Sequence, residues 1–252
     1  SQALQNIQVV VHLAGRAHVL QSAGSDTPAA FQQANVDGAL NLARQAAAAG
    51  VQRFIFISSI GVNGAQTDEQ PFTELCIPQP QVAYAMSKYA AEQGLQALTQ
   101  QTSMQLVIIR PPLVYAAHAP GNFRRLLQLV ASGIPLPFAR VENRRSMLAL
   151  ENLLDFIRCC IEHPAAASPV FLVADEFAVS TPQLVRYLAE GMGQPAHLFA
   201  LPAALLRGCT TLLGKRALFE QVCGSLRIDA SKGRQLLGWQ PPVNPEQALR
   251  KA

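Results

Sequence analysis

A tyrosine and a lysine four residues apart are the residues whose types and spacing most directly indicate chemistry. Tyr84 and Lys88 stand at the two ends of the run YAMSK, at the start of a predicted helix. A spacing of four puts both side chains on one helical face. A fixed ammonium stabilises a phenolate and lowers the pKa of a tyrosine from its ordinary value of about 10. We therefore expect Tyr84 to exchange a proton with a substrate hydroxyl near neutral pH.

Two serines follow an apolar run that is typical of a buried strand. Ser58 and Ser59 come directly after the sequence FIFI. Ligands of open parallel sheets bind outside the carboxyl ends of the strands, where a hydroxyl can donate a hydrogen bond to a reacting oxygen. A cap or turn role is the alternative for both serines, and the pattern leaves the two interpretations open.

Strand and helix patterns alternate through the first 115 residues and predict how these side chains are positioned. Continuous apolar runs indicate strands buried on both faces at 7–14, 54–58 and 106–109, and helical periodicity indicates helices at 29–49 and 84–99. Such alternation predicts an α/β fold with a parallel sheet and right-handed crossovers. The sheet would then place the serines and the tyrosine at one edge.

The second half is richer in loops and prolines and predicts a smaller α+β lobe. Helices are predicted at 123–132, 151–162, 181–191, 203–213 and from 247 onward, with a strand at 170–173. We expect 1–115, together with about 147–175, to form one domain around the parallel sheet. We expect 116–146 and 176–252 to form the smaller lobe.

Composition excludes several classes of protein. Half of the 252 residues are hydrophobic and 14% are charged, which excludes a disordered or collagen-like chain. The net charge of +4 is scattered, with pairs only at 124–125 and 144–145, so a nucleic-acid partner is not expected. The longest apolar stretch, 198–214, contains Pro202 and Arg207, so no membrane span or membrane partner is expected.

Five cysteines without a C-x-x-C pair predict neither a disulfide framework nor a zinc site. His12, His18 and His118 also lack the spacing of metal ligands, and we assign them no catalytic role. The chain shows no secretory signal at its start. These features predict a protein without a metal in a reducing, cytoplasmic compartment.

The order of the motifs resembles one enzyme family. The marks are HLAG at 12–15, NVDG at 35–38, the serines after their strand, the tyrosine and lysine, RPP at 110–112, and DASK with LLGWQP between 229 and 241. In this order they resemble the extended short-chain dehydrogenase/reductase family, in its nucleotide-sugar epimerase/dehydratase branch. The resemblance implies a Rossmann-type doubly wound sheet, NAD as cofactor with NADP open, a nucleoside-diphosphate sugar as substrate, and a homodimer.

The resemblance also implies roles for individual residues. Ser59 would assist catalysis and touch substrate, Tyr84 would be the acid/base, and Lys88 would hold the nicotinamide ribose while tuning the tyrosine. Arg16 would reach a phosphate, and Asn35 would brace the central strands, with a solvated surface and a local cap as their respective alternatives. The remaining residues implied to line the cofactor are Ala14, Gly15, Ile57, Ser58, Pro111, Leu113 and Val114.

Two residues of the lobe are implied to hold the sugar nucleotide. Arg145 matches an arginine that makes charge-assisted bonds to the diphosphate. Asn122 precedes a predicted helix and matches a residue near the nucleotide, with a simple N-cap as the alternative. Leu113 stands where the family often has asparagine, and Ser146 stands where it has an acidic residue. The particular sugar therefore does not follow from the resemblance, although a related subgroup is linked to bacterial surface-polysaccharide sugars.

One family feature is missing from the printed sequence. The resemblance implies a G-x-x-G-x-x-G loop that cradles the cofactor pyrophosphate, and none of the 252 residues forms it. We therefore expect the sequence to be the later part of a chain of about 310–330 residues.

These observations predict an NAD(P)-dependent 4-epimerase that works through a 4-keto intermediate. A 4-keto-sugar reductase or a dehydratase of the same family is the alternative, and the dehydratase ranks last because Ile60 and Gly61 stand where an acidic pair is usual. A non-catalytic nucleotide-binding module is the alternative from another class.

Overall fold

The computed structural model describes residues 2–17, 27–119, 121–167, 170–212 and 216–252. His18 lies outside these residues, as do the far end of the predicted helix 203–213 and the first residue of the chain. The strands in the described part are β1 (Val9–His12), β2 (Arg53–Ile57), β3 (Gln105–Arg110), β4 (Leu113–Tyr115), β5 (Met147–Ala149) and β6 (Val170–Leu172). Its α-helices are α1 (Pro28–Phe31), α2 (Gly38–Ala48), α3 (Ala83–Thr99), α4 (Asn122–Ala131), α5 (Leu150–Glu162), α6 (Thr181–Gly191), α7 (Ala203–Leu212), α8 (Arg216–Cys223), α9 (Ser231–Leu237) and α10 (Pro245–Lys251).

The main sheet is parallel, as predicted. Its order is β1-β2-β3-β6, and β2 is paired with β3 along its whole length and with β1 from Arg53 to Phe56. Val9 lies opposite Arg53, and Ile57 lies opposite Ile109. Because all strands run in one direction, the residues that follow β1, β2 and β3 meet at one edge of the sheet.

Both faces of this sheet are buried, which explains the continuous apolar runs of its strands. Phe54 and Phe56 of β2 pack with the alanine-rich α2 and α3 on one face. Ile55 of β2 packs on the other face, with Phe156 of α5 and Trp239 after α9. Alternate residues of one strand therefore enter opposite cores, and α3 is pressed directly onto the sheet.

A second, smaller sheet begins the lobe. β4 pairs with β5 in parallel, and a third core formed by α4, α6 and α10 surrounds this pair. The hydroxyl of Tyr115 donates to Asp175 at 2.8 Å, and Asn152 donates to the same carboxylate at 2.7 Å. Burial raises the pKa of Asp175 above its ordinary value, because desolvation opposes the charged form and outweighs these hydrogen bonds. This network joins the lobe to α5 and to the segment after the main sheet.

The structure differs from the sequence predictions in a few elements. The predicted helix at 29–49 is interrupted by a π-helical segment, Gln32–Asp37, and ends before Gly50, whose φ of +80° suits the residue after a helix. β5 joins β4 instead of the main sheet, so only β6 of the region 147–175 returns there. The sequence prediction missed the short helices α8 and α9.

No helix in the described part of the chain is long and apolar enough to cross a membrane. The cysteines whose side chains are described, at positions 76, 159, 160 and 223, carry free thiols.

Candidate active site

The candidate site lies at the carboxyl edge of the main sheet. Segment 13–17 follows β1, the serine pair 58–59 follows β2, and the proline pair 111–112 follows β3. The first two turns of α3 lie beside these segments and carry the tyrosine and the lysine. Parallel strand order therefore brings together residues that are far apart in the sequence.

Lys88 is buried between α3 and the sheet. Its ammonium donates a hydrogen bond to the carbonyl of Ile57 at 2.9 Å and lies 4.7 Å from the centre of the Phe56 ring. Desolvation lowers its pKa to about 8, although the negative charge of Glu92 partly opposes this shift. Lys88 is thus fixed at the end of β2 with a pKa close to neutrality.

Asn35 ties the segment after β1 to the start of α3. Its Oδ1 accepts from the backbone N–H of Arg16 at 2.6 Å, and its Nδ2 donates to the Arg16 carbonyl at 3.0 Å and to Ser87 Oγ at 2.9 Å. Ser87 in turn donates to the carbonyl of Tyr84 at 2.7 Å. The amide therefore joins separate elements instead of capping its own helix. It sits in the π-helical segment, a form often found at functional sites.

Gly15 fits the same cluster because it has no side chain. A Cβ at this position would lie 3.1 Å from Lys88 Nζ and 3.2 Å from Asn35 Oδ1, which is tighter than ordinary contact. Ala14 and Gly15 are exposed, and Arg16 is half-buried. A ligand can thus approach the backbone here, directly above the lysine.

Tyr84 is half-buried in the first turn of α3, with its ring edge-on to Phe31 at 6.3 Å. Burial raises the pKa of its phenol above the ordinary value. The expectation of a lowered pKa is therefore wrong, because desolvation outweighs the attraction of an ammonium that is directed at the Ile57 carbonyl. Tyr84 and Lys88 nevertheless lie one helical turn apart on α3.

The two serines differ in their surroundings. Ser59 Oγ accepts from the backbone N–H of Gly61 at 3.1 Å and caps the short 3₁₀ turn Ile60–Val62, so the capping interpretation holds for this hydroxyl. Ser58 is buried, and its Oγ has no hydrogen-bond partner in the structure. An unpaired buried hydroxyl is costly, which makes Ser58 a candidate contact for a ligand.

The residues after β3 complete the lining. Pro111 is buried, and its carbonyl accepts from the N–H of Ile60 at 2.9 Å, which holds the turn after Ser59 against the end of β3. Leu113 is 44% exposed and Val114 is half-buried in β4. An exposed leucine here offers an apolar surface at the edge where the other candidates meet.

The two lobe candidates are placed differently. Asn122 is exposed as the first residue of α4, behind Gly121 at the N-cap, and its Oδ1 accepts from Arg125 at 3.5 Å. Arg145 donates to the carbonyl of Gly224 at 3.0 Å, and burial lowers the pKa of its guanidinium. In the described part of the chain, neither residue makes a hydrogen bond to Lys88 or to the Asn35 amide.

Sequence reasoning missed several buried polar groups near this site. His12, at the end of β1, stacks on the Phe56 ring with centroids 5.8 Å apart, and its buried Nε2 has no hydrogen-bond partner among the residues that the structure describes. Desolvation, followed by the charge of Lys88, lowers the pKa of His12, which keeps the imidazole neutral. Its position directly before the segment that lines the site was the available sequence signal.

An ion pair one turn beyond Lys88 was also missed. Arg110 makes two hydrogen bonds to Glu92, from Nε to Oε1 at 2.9 Å and from Nη2 to Oε2 at 2.5 Å, and a third to Asn63 Oδ1 at 2.9 Å. Glu92 continues the stripe of Tyr84 and Lys88 at the same spacing of four, which could have revealed it. A carboxylate this deeply buried requires such a partner.

The site fits the nicotinamide and ribose end of a dinucleotide. Lys88 presents a fixed donor for ribose hydroxyls, the unpaired Ser58 hydroxyl is available, and the space above Gly15 is one that a Cβ would fill. No cluster of metal-ligating side chains occurs in the part of the chain that the structure describes.

Comparison with known proteins shows the family of the chain. The sequence model described as the NAD dependent epimerase/dehydratase family matches residues 1–174. A Vibrio cholerae protein named UDP-glucose 4-epimerase is 41% identical over 250 residues, which cover 98% of this chain and 76% of that protein. An Escherichia coli O157:H7 protein, named N-acetyl-alpha-D-glucosaminyl-diphospho-ditrans,octacis-undecaprenol 4-epimerase, is 27% identical over 223 residues, which cover 80% of this chain and 65% of that protein.

A solved structure supports the fold. The crystal structure of UDP-glucuronic acid 4-epimerase from Bacillus cereus in complex with NAD has a TM-score of 0.78 at 20% identity. The match covers 99% of this chain and 72% of that one. The arrangement of strands and helices is therefore that of a known α/β fold.

Proposed function

The chain belongs to the NAD-dependent epimerase/dehydratase family, and on that premise we propose that it inverts the configuration at C4 of a nucleoside-diphosphate sugar. The observation that carries the proposal is the pairing of Tyr84 with Lys88, whose ammonium is held on the Ile57 carbonyl at the carboxyl edge of the sheet. The 41% identity to a protein named UDP-glucose 4-epimerase supports both the reaction and a uridine nucleotide.

Bound NAD would supply the chemistry of accepting a hydride from a ring carbon and returning it. Residues of the protein would transfer the proton of the sugar hydroxyl. Tyr84 receives the proton of the sugar hydroxyl and returns it after the 4-keto intermediate has reoriented in the site. Lys88 binds the ribose hydroxyls and stabilises the phenolate with its positive charge. General acid–base assistance of this kind contributes roughly a hundredfold to ten-thousandfold in rate.

The other candidates bind and orient. Ser59 donates its hydroxyl hydrogen to the reacting sugar oxygen, since its Oγ lone pair already accepts from Gly61. Ser58 and the segment Ala14–Arg16 contact the cofactor, together with Ile57 and the residues after β3. In the lobe, Arg145 and Asn122 bind the diphosphate and the nucleotide. The raised pKa of Tyr84 means that substrate and cofactor must first stabilise its phenolate.

The direct test is sugar interconversion. We expect the protein with NAD to convert UDP-glucose or its N-acetylated analogue into the C4 epimer, measured by proton NMR of the anomeric signals. Tyr84→Phe should lower kcat by at least about a hundredfold while NAD affinity stays within about twofold.

Tyr89→Phe is the matched control, because it removes a phenol from the same helix and should leave kcat unchanged. Equal turnover by Tyr84→Phe and the unaltered protein would exclude the acid/base role. Absence of epimerisation for every uridine and thymidine sugar tried would exclude the reaction.

Three alternatives can be distinguished from an epimerase with this assay and a measurement of NADH binding. A 4-keto-sugar reductase would consume reduced cofactor in proportion to product, whereas an epimerase shows no net change. A dehydratase would release a 4-keto-6-deoxy sugar, but Ile60 and Gly61 follow Ser59 where that reaction usually has two acidic residues. A non-catalytic module would bind NADH, seen by its fluorescence, without turning over any sugar.

The division of labour between two domains is part of this proposal. Residues 1–115 with about 147–175 would bind the cofactor, and 116–146 with 176–252 would bind the sugar nucleotide. The sheet and the lobe have separate cores, which supports two domains, although Trp239 packs into the core of the sheet and Tyr115, Met147 and Ala149 pack into that of the lobe. We also propose a homodimer through α2 and α3 in the cytoplasm, where thiols stay reduced. Sedimentation of a monomer at micromolar concentration would contradict the dimer.

A further inference from the structure

Glu92 and Arg110 form a buried pair directly behind Lys88. Glu92 follows Lys88 by one helical turn on α3 and is 1% exposed, while Arg110 at the end of β3 is 4% exposed. Arg110 engages both carboxylate oxygens and extends its third bond to Asn63, which donates to the Thr73 carbonyl at 3.2 Å. The carboxylate is therefore held in a fixed direction by a fork of donors.

A free carboxylate at this position would compete for the ammonium. Side chains four residues apart on a helix are neighbours, and an unshielded carboxylate attracts a lysine strongly in a buried setting. Lys88 instead donates to the Ile57 carbonyl at 2.9 Å and lies over the Phe56 ring. Glu92 raises the pKa of Lys88 by its charge, but desolvation prevails. The observed direction of the lysine thus agrees with a carboxylate that Arg110 has already occupied.

Glu92 supplies the negative charge that acts on Lys88, and the other groups named as facing Lys88 are not carboxylates. Tyr84 lies one turn before it on α3, and its phenol is kept neutral by burial. His12 faces it from β1, and the charge of Lys88 helps to keep the imidazole neutral. Arg110 faces Glu92 from β3. The remaining neighbouring elements contribute neutral groups: the Asn35 amide, the Phe56 ring and the Ile57 carbonyl.

We propose that the Glu92–Arg110–Asn63 cluster is a positioning device for Lys88. By binding both oxygens of Glu92, Arg110 prevents a Glu92–Lys88 ion pair, so the ammonium stays at the Ile57 carbonyl and remains available to a ligand. The cluster acts through Lys88 and does not touch substrate. Its catalytic consequence rests on the proposed function, whereas its effect on Lys88 does not.

The test uses the titration of Lys88 in the whole chain. The sequence has four lysines, Lys88, Lys215, Lys232 and Lys251, so ¹³C-labelled lysine gives four ε-carbon signals, and Lys88→Met identifies one of them. We expect a Lys88 midpoint of about 8 in the unaltered protein. Glu92→Gln should lower it, and Arg110→Gln should raise it, each by about one pH unit. The double variant Glu92→Gln/Arg110→Gln should return it close to the starting value.

Opposite shifts are expected from the loss of either charge, whereas a shift in Arg110→Lys requires loss of the fork, because that variant keeps the positive charge. Shifts of the same sign in both single variants, or no shift in either, would overturn the proposal. If leaving one charge unpaired prevents folding, Arg110→Lys keeps the charge but loses the fork, and should still raise the midpoint. An unchanged midpoint in Arg110→Lys would overturn the proposal even if the two charge-removing variants shift in opposite directions.

The activity assay then separates this proposal from the proposed function. The titration needs neither sugar nor cofactor, so a protein that fails to epimerise any sugar can still show the opposite shifts. If epimerisation is observed, the pH profile of kcat should move with the Lys88 midpoint in each variant. A profile that stays fixed while the midpoint moves would overturn the link between the cluster and catalysis.

Discussion

The carboxyl edge of the main sheet and the C-terminal lobe hold their candidate residues in different ways. At the sheet edge, Lys88 and Asn35 are buried and bonded to segments that are distant in the sequence. In the lobe, Asn122 is exposed, and Arg145 binds a backbone carbonyl of its own lobe. The sheet edge is therefore organised before any ligand binds, whereas in the lobe only Arg145 is held by burial and a backbone contact, and Asn122 is exposed to solvent.

The difference has a physical origin. A polar group between a helix and a sheet has lost its water and must find protein partners, so its position is determined by them. A polar group at an exposed helix N-terminus stays hydrated, so it requires no protein partner to fix its position. Preorganisation favours the reacting end of a substrate, where small displacements cost rate, more than the nucleotide end, where binding suffices.

The largest expected effect is on stability, from Lys88→Met. Because the pKa of Lys88 in the folded chain lies at about 8, below its ordinary 10.5, the charged form opposes folding below pH 8. That cost is about 3 kcal/mol, and it disappears as the pH rises from about 8 to 10.5. We expect the variant to gain stability relative to the unaltered protein at pH 7, and this gain to shrink by about 3 kcal/mol towards pH 10.5.

Urea unfolding of both proteins at several pH values measures this difference, and other titrating groups cancel in it. If the stability difference between the two proteins does not vary with pH, burial does not lower the pKa of Lys88. The sheet edge would then resemble the lobe more than we infer.

The next effect is on catalysis, from Gly15→Ala. The added methyl group would press on Lys88 Nζ and Asn35 Oδ1, and both would have to move by a few tenths of an ångström. We expect kcat in the epimerase assay to fall about tenfold to a hundredfold. Gly208→Ala in α7 is the control, because nothing lies within 4 Å of its Cβ. Undiminished kcat in Gly15→Ala would show that the sheet edge tolerates rearrangement.

The smallest effect is expected in the lobe, from Arg145→Lys. The lysine keeps the charge but cannot bond the diphosphate bidentately, so we expect the Kd for UDP to rise about tenfold while NADH affinity is unchanged. Calorimetry measures both constants, and Arg144→Lys, at an exposed neighbouring position, serves as the control. If UDP binds Arg145→Lys as tightly as the unaltered protein, the guanidinium of Arg145 does not contribute to nucleotide binding.

Much of the sheet was predictable, because its central strands are buried on both faces and are therefore mainly apolar. The strands at 54–58 and 106–109 were found to within one residue, and α6 was found from Thr181 to Gly191. β4 and β5 have three residues each, too few for a periodicity, and were missed, whereas the equally short β6 was predicted from the apolar run at 170–173. The π-helical turn around Asn35 was missed because it is imposed by bonds to Arg16 and Ser87 across the site.

The sequence by itself determined the family, the parallel α/β fold and the candidates Ser59, Tyr84 and Lys88, because spacing and order are properties of the chain. Only the tertiary structure decided how those groups behave. It raised the pKa of Tyr84 by burial, directed Lys88 to the Ile57 carbonyl, and brought Arg110 to Glu92. Desolvation and long-range partners depend on which segments pack together, and no spacing along one segment contains that information.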